Sequence, residues 1–370
     1  MKKKIILYLA IFLALIPNNM VFAKSKDNLN SNQTLNNKNV EYHRATVREV
    51  EEVKDEFGAK TKRVVVEIND GYLKGKTVEI NIPVFSDVPY MHNYREGDQV
   101  VVFKDKNGDS KGFNILDHYR MTWIYYLLGA FVIVVLIIGR KSGLKSIFSL
   151  FISIVMAFVM LPLLAKGKDP ILITLIASSI NTIITILVIG GASKKSLAAI
   201  ISTIIGLALS FGLVSLFASR TYISGLSIEG APMLMLNENS ISVQKLVFAS
   251  IILGSLGAIM DVTVSIASSI EEVRRAKPSA KTMDLYKSGM NVGRDVMGTM
   301  SNTLVLAYFA SSMPLALMIY MNNTGSPYFY NMEIFVLEML RSLIGSIALV
   351  LVIPITCIVA SVLYKSKKVS

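Results

Sequence analysis

Asp261 lies well inside the apolar run Val243–Ile270, with apolar residues on most sides. A carboxylate there is costly to desolvate, and the usual reason to keep one is a pathway, a relay or a partner. On a 3.6-residue period, Gly254, Ala258, Asp261, Ser265, Ser268 and Glu272 share one helix face. Small residues on such a face let a neighbouring helix come close, and the polar atoms among them hydrogen-bond across the contact. A second stripe follows: Arg294 and Asp295 stand at the edge of the next apolar run, and Gly298 and Asn302 continue the Asp295 face inward. If the first helix leaves the membrane near Ile270, Asp261 is roughly 13 Å inside that edge and Asn302 roughly 9–10 Å, at 1.5 Å per residue. The two are therefore expected to meet. The chemistry expected of them is a cation or proton site, with Asp261 as the titrating carboxylate and Ser265 and Asn302 as neutral ligands. The competing reading is a structural hydrogen-bond knot between two helices. Function stands slightly ahead, because an amide fills the structural role at lower desolvation cost.

Two charge pairs flank this centre. Arg294 with Asp295 is expected to gate the cytoplasmic side. Glu338 and Arg341 stand three apart on one face of the last apolar run, with Gly345 continuing it inward, and pair there as an outer gate or as a structural ion pair. Enzymatic chemistry finds no support. The chain has no GxxxxGK[ST] and no HExxH. Gly254-Ser255-Leu256-Gly257 lacks an intramembrane histidine to act as base, and an aspartyl dyad needs a second buried carboxylate beside Asp261. His43, His92 and His118 are scattered without ligand spacing. No catalytic residue, cofactor or metal is expected.

The elements that must position these residues are apolar. Of 370 residues 52% are hydrophobic, and long apolar runs settle a membrane class. The net charge of +12 arises from basic residues beside those runs, the positive-inside pattern, and requires no nucleic-acid partner. The sole cysteine, Cys357, lies in the last run, so no intramolecular disulfide forms. Residues 1–23 read as a signal peptide: Lys2–Lys4, the apolar core Ile5–Ile16, then Val21-Phe22-Ala23 as the cleavage site. Residues 24–40 are poor in apolar side chains and read as a disordered linker. Residues 41–118 carry short β-rich runs, Ala45–Val53, Arg63–Ile68, Thr77–Val84, Gln99–Phe103 and Gly112–Leu116, separated by turn residues. They predict a small extracellular β-barrel-like domain, OB-like in size and strand number.

Residues 119–370 predict an α-helical polytopic membrane bundle of about seven transmembrane helices. The spans are Thr122–Gly139, Leu144–Leu164, Pro170–Gly190, Leu197–Ala218, Val243–Ile270, Val296–Tyr320 and Ile334–Tyr364. Arg140, Lys141 and Lys145, then Lys194-Lys195, then the connector 271–295, then Lys365, Lys367 and Lys368 mark alternate connectors. They assign those connectors and the C-terminus to the cytoplasm and the N-terminal domain to the outside, with Lys166, Lys168 and Arg220 in mild dissent. The first four spans read as a packing scaffold. Met283, Tyr286 and Met290 make the connector amphipathic, to lie on lipid or to dock a partner.

Four runs carry a resemblance. Gly257-Ala258-Ile259-Met260-Asp261, Ser265-Ile266-Ala267-Ser268-Ser269, Gly289 to Asp295 with Gly298 to Leu304, and Arg341 to Ile347 resemble the YibE/F family of bacterial multi-pass membrane proteins. The likeness runs from Tyr42 to Tyr364. It implies an exported β module followed by a helical bundle in the bacterial cell membrane, and it brings no activity with it. The expectation from the residues is a transporter or permease for a small solute or ion. The alternative is a receptor or assembly scaffold whose β domain and connector bind partners. The expected partners are the lipid bilayer and an unidentified small solute or ion, with a second copy of the chain or another membrane subunit beside them and no nucleic acid.

Overall fold

The computed structural model describes residues 40–54, 60–83, 93–105, 112–218, 220–228, 230–235, 241–321 and 330–365. The signal peptide, nearly all of the linker, His92 and the Asn107–Asp109 turn lie outside them. The chain divides into two compact units, Met1–Leu128 and Gly129–Ser370.

Among the described residues of the first unit, alternating apolar residues make five strands: β1 Val40–Lys54, β2 Lys60–Ile68, β3 Thr77–Pro83, β4 Gln99–Asp105 and β5 Phe113–His118. They form one antiparallel sheet in the order β3-β2-β1-β4-β5. The sheet curls into a half-barrel. The long β1 serves both halves, and its register shifts between Val47 and Glu49, where a bulge bends the strand. One face is dry: Ala45, Val47, Val64, Val66, Ile80, Ile82, Val100 and Val102 bury there with Tyr94. The β2–β3 connection needs Gly71 at φ +70, where a Cβ would sit 3.0 Å from the His43 ring. Asp70 ties that turn to β1, accepting from Arg44 N at 3.0 Å and Arg44 Nε at 2.9 Å.

The helices are α1 Met121–Ala165, α2 Pro170–Gly190, α3 Lys194–Ala218, the short α4 Ala231–Met235, α5 Val243–Ala276, α6 Thr282–Ser311, α7 Met313–Met321 and α8 Glu333–Leu363. The boundary between the two units falls within α1. Among the described residues, five helices are long and apolar enough to cross a membrane: α1, α2, α3, α5 and α8.

The expected spans differ from these in two places. Thr122–Gly139 and Leu144–Leu164 lie in α1 together, but the helix breaks at Arg140, with φ 48 and ψ −121. A Cβ on Gly143 would be 2.2 Å from the Val135 carbonyl oxygen, whereas a straight helix separates such positions by about 12 Å. The chain therefore turns sharply there. Val296–Tyr320 is divided between α6 and α7. A continuous helix would drive the Pro314 ring into the carbonyl four residues back, and the break at Ser312 avoids it.

Burial rises from α1 through α2, α3 and α8 to α5, which is the central post. Small residues and hydroxyls set the close contacts. Gly206 of α3 approaches Ile259 and Val352, Thr203 bonds Thr263 at 2.8 Å, and Ser255 donates to Ser210 at 3.1 Å. On α6, Gly289 packs on Ile270 and Cys357, and Gly293 on Ile266 and Ile353. Any side chain at those two glycines would hold α6 away from α5 and α8. Asp169 caps α2 and forms an ion pair with Lys245 of α5.

Candidate functional site

The apolar residues of α5 that bury, from Val247 and Ile251 to Ile259, Val262, Ile266 and Ile270, occupy the faces turned to α3 and α8. The same periodicity leaves Gly254, Gly257, Asp261, Ser265 and Glu272 exposed on one stripe. A Cβ on Gly257 would meet nothing within 4 Å, so the stripe borders open space.

Midway along it, Asp261, Ser265 and Ser268 line an open cavity of about 580 Å³. Thr185 of α2, Lys195 and Ser196 of α3, and Val296 and Met300 of α6 complete much of its wall. Among the described residues Asp261 makes no hydrogen bond and no ion pair. Thr185 Oγ1 is likewise a buried oxygen without a partner. The cavity therefore offers one carboxylate and several hydroxyl oxygens, a donor set suited to a proton or a small hard cation. Among the described residues no group of three or more His, Cys, Asp or Glu is arranged to hold a metal ion.

Polar clusters lie along α5 on both sides of the cavity. Glu271, ten residues or about 15 Å along the helix, is buried and gathers three elements. Tyr364 Oη donates to its Oε1 at 3.0 Å, and Arg275 lies 3.5 Å from the same oxygen. Lys195 Nζ is 3.2 Å from Oε2, an ionic contact with poor hydrogen-bond direction. In the other direction Arg341 donates to Glu338 at 2.7 Å and to Ser250 Oγ at 3.2 Å. The second Glu338 oxygen is buried without a partner, and the Tyr308 hydroxyl crowds Gly254. From Ser250 to Glu271 the track is about 32 Å long, close to the thickness of a bilayer's hydrocarbon core.

The structure brings some of the sequence-derived residues together and separates others. Asp261 and Ser265 share the cavity wall, and Glu338 pairs with Arg341 on one helix face. Asn302 does not join Asp261. It is exposed on α6, on the side opposite Gly293 and away from the cavity-lining Val296 and Met300. Arg294 and Asp295 are exposed too and make no ion pair with each other or with any described residue, so they close no cytoplasmic gate in this structure. The reason is geometric: Gly289 and Gly293 of α6 take the packing face, and the Asp295–Gly298–Asn302 stripe lies across the helix from them. Thr185, Lys195 and Glu271 were missed as site residues. Thr185 reads in sequence as an ordinary helix-contact threonine, and Glu271 as the start of a connector. The one available signal was the four-residue spacing of Glu271 and Arg275.

A bundle of long apolar helices around a polar-lined central helix defines an integral-membrane protein. Residues 127–366 match the family model for YibE/F-like proteins, and the chain belongs to that family. The match covers the helical unit and leaves the five strands outside it. No curated protein and no solved structure matches the chain.

Proposed function

We propose that the helical unit is a transporter or permease for a small solute or ion, with Asp261 as the binding and coupling carboxylate. The observation that carries this reading is an unpartnered Asp261 on the wall of an open cavity of about 580 Å³, beside Ser265 and Ser268. Thr185 supplies a further oxygen. Alternating exposure of the cavity to the two membrane faces is the working step. The Lys195–Glu271–Arg275 cluster flanks it at the end near the basic connector, and Glu338–Arg341–Ser250 flanks it at the other. The reading takes the broken α1 as two passes and α6 with α7 as one, which makes seven. The positive-inside rule then puts the β unit outside and the C-terminus in the cytoplasm. No covalent chemistry is assigned to the protein.

The test compares solute and metal content in a deletion strain restored with wild type or with Asp261→Asn, at matched membrane abundance. One solute is expected to shift on deletion, to recover with wild type and to stay shifted with the variant. Full correction by the variant would sink the Asp261 assignment. A second reading, a receptor or scaffold, draws on the half-barrel lying outside the family match. It expects loss of function on removal of residues 41–118 and tolerance of Asp261→Asn.

A further inference from the structure

The packing register of α6 sets the depth of its outer face. Gly289 lies against Ile270, Gly293 against Ile266, and Leu304 and Ser255 both approach Gly345. Continued along the two antiparallel helices, that register sets Arg294 level with Ser265, Gly298 level with Asp261, and Asn302 level with Gly257. The outer face of α6 is thus as deep as the cavity. It is also polar. Asn291, Asp295, Gly298, Asn302, Val305 and Phe309 are all exposed, and their spacing alternates four and three residues. That is the 3.5-residue repeat of a helix seam that packs against another helix. Arg294 borders the seam beside Asp295, and neither finds a partner among the described residues. An unpaired aspartate, arginine and asparagine turned to lipid at this depth would be costly.

We propose that this seam is the interface with a second copy of the same chain. Two copies in one bilayer with the same orientation are related by a twofold axis along the membrane normal, so their α6 helices run parallel. Adjacent opposite charges beside such an axis are self-complementary. Asp295, seven residues before Asn302, faces its own mate across the axis. Arg294 of each copy reaches across to the Asp295 of the other, so two symmetry-related ion pairs offset the repulsion between the carboxylates. Gly298 lets the backbones approach. Asn302 faces its own symmetry mate, a pairing that selects two parallel strands in one register. A different membrane subunit would need its own matched acid, base and amide at these three levels; a second copy has them already.

The test uses the full chain in native membranes with cysteine substitutions and a mild oxidant. The native Cys357 is fully buried, so wild type is the blank. Gly298→Cys and Asn302→Cys are expected to give a covalent homodimer, and Thr303→Cys, exposed but off the seam, is not. In the Gly298→Cys background, Arg294→Asp is expected to lower dimer yield by about tenfold, since it sets like charges across the axis. Adding Asp295→Arg restores opposite charges and is expected to recover the yield, which separates pairing from misfolding. No dimer at either seam position at normal abundance would overturn the proposal. So would equal cross-linking at Thr303→Cys, a product containing a different protein, or failure of the charge swap to rescue.

Discussion

At the scale of single residues, carboxylates only ten positions apart on α5 occupy opposite situations. Glu271 is surrounded by Lys195, Arg275 and Tyr364, and Asp261 has an open cavity and no partner among the described residues. Their substitutions should therefore separate stability from function. Glu271→Ala leaves Lys195 and Arg275 facing an empty pocket. It is expected to cost about 2–3 kcal/mol, below the 3–5 kcal/mol of wholly buried pairs because both cations are partly exposed. Thermal unfolding of the detergent-solubilised protein measures it. Asp261→Asn removes no contact and is expected to leave that midpoint unchanged while abolishing pH-dependent flux in reconstituted vesicles. Unchanged flux in that variant would move the coupling site elsewhere. The position of Asp261 on a polar stripe was legible in the sequence; the cavity wall that Thr185 and Lys195 build around it was not. Those two residues come from helices that local periodicity cannot bring near α5.

At the scale of elements, close approach through glycine decides where α6 lies. A side chain on Gly293 would place its Cβ 2.3 Å from the Ile353 side chain. Gly293→Val is expected to cost more than the 1–3 kcal/mol usual for overpacking, read as a fall in melting temperature and in membrane abundance. Gly298→Val, with nothing within 4 Å of its Cβ in one copy, is expected to spare the melting temperature and weaken dimer cross-linking. Equal destabilisation by both would mean that the two faces of α6 are equally buried. The Asp169–Lys245 clasp joins the start of α2 to α5, and Lys245 holds the Asp169 carboxyl below its ordinary range. A depressed carboxylate stabilises above the unfolded-state pKa and loses that contribution as pH falls through the folded-state value. Asp169→Asn should therefore lower stability at neutral pH and change little once the medium is acid enough to protonate the wild-type carboxyl. The effect is small, because both partners are substantially exposed and screened.

At the scale of the whole molecule, the two units have separate cores, and the family match stops short of the strands. Removing residues 41–118 is expected to leave the helical unit folded in the membrane and its flux intact, measured by abundance and vesicle assay. Loss of flux with normal abundance would mean that the β unit takes part in transport, and absence of flux in the intact chain would favour the receptor or scaffold reading. The half-barrel buries a contiguous apolar face of its own, so its fold does not call on the helices.

The elements were written in local pattern. Period-2 runs located the five described strands, β1 least well, and apolar length located α1, α2, α3, α5 and α8, because both signals need only neighbours along the chain. The first half of α6, from Thr282, fell in the expected connector. The basic group Arg140, Lys141 and Lys145 marked the connector where α1 breaks, whereas proline alone did not mark the division at Ser312, since Pro354 lies inside the continuous α8. The stripe Asp295–Gly298–Asn302 was also correctly legible as a single helix face. Its direction was not. Periodicity fixes which residues share a face, and only packing decides which face turns inward. Gly289 and Gly293 took the contacts with Ile270, Ile266 and Ile353, and the polar stripe was left outside. That one tertiary choice removed Asn302 from Asp261 and left Arg294 and Asp295 without partners among the described residues.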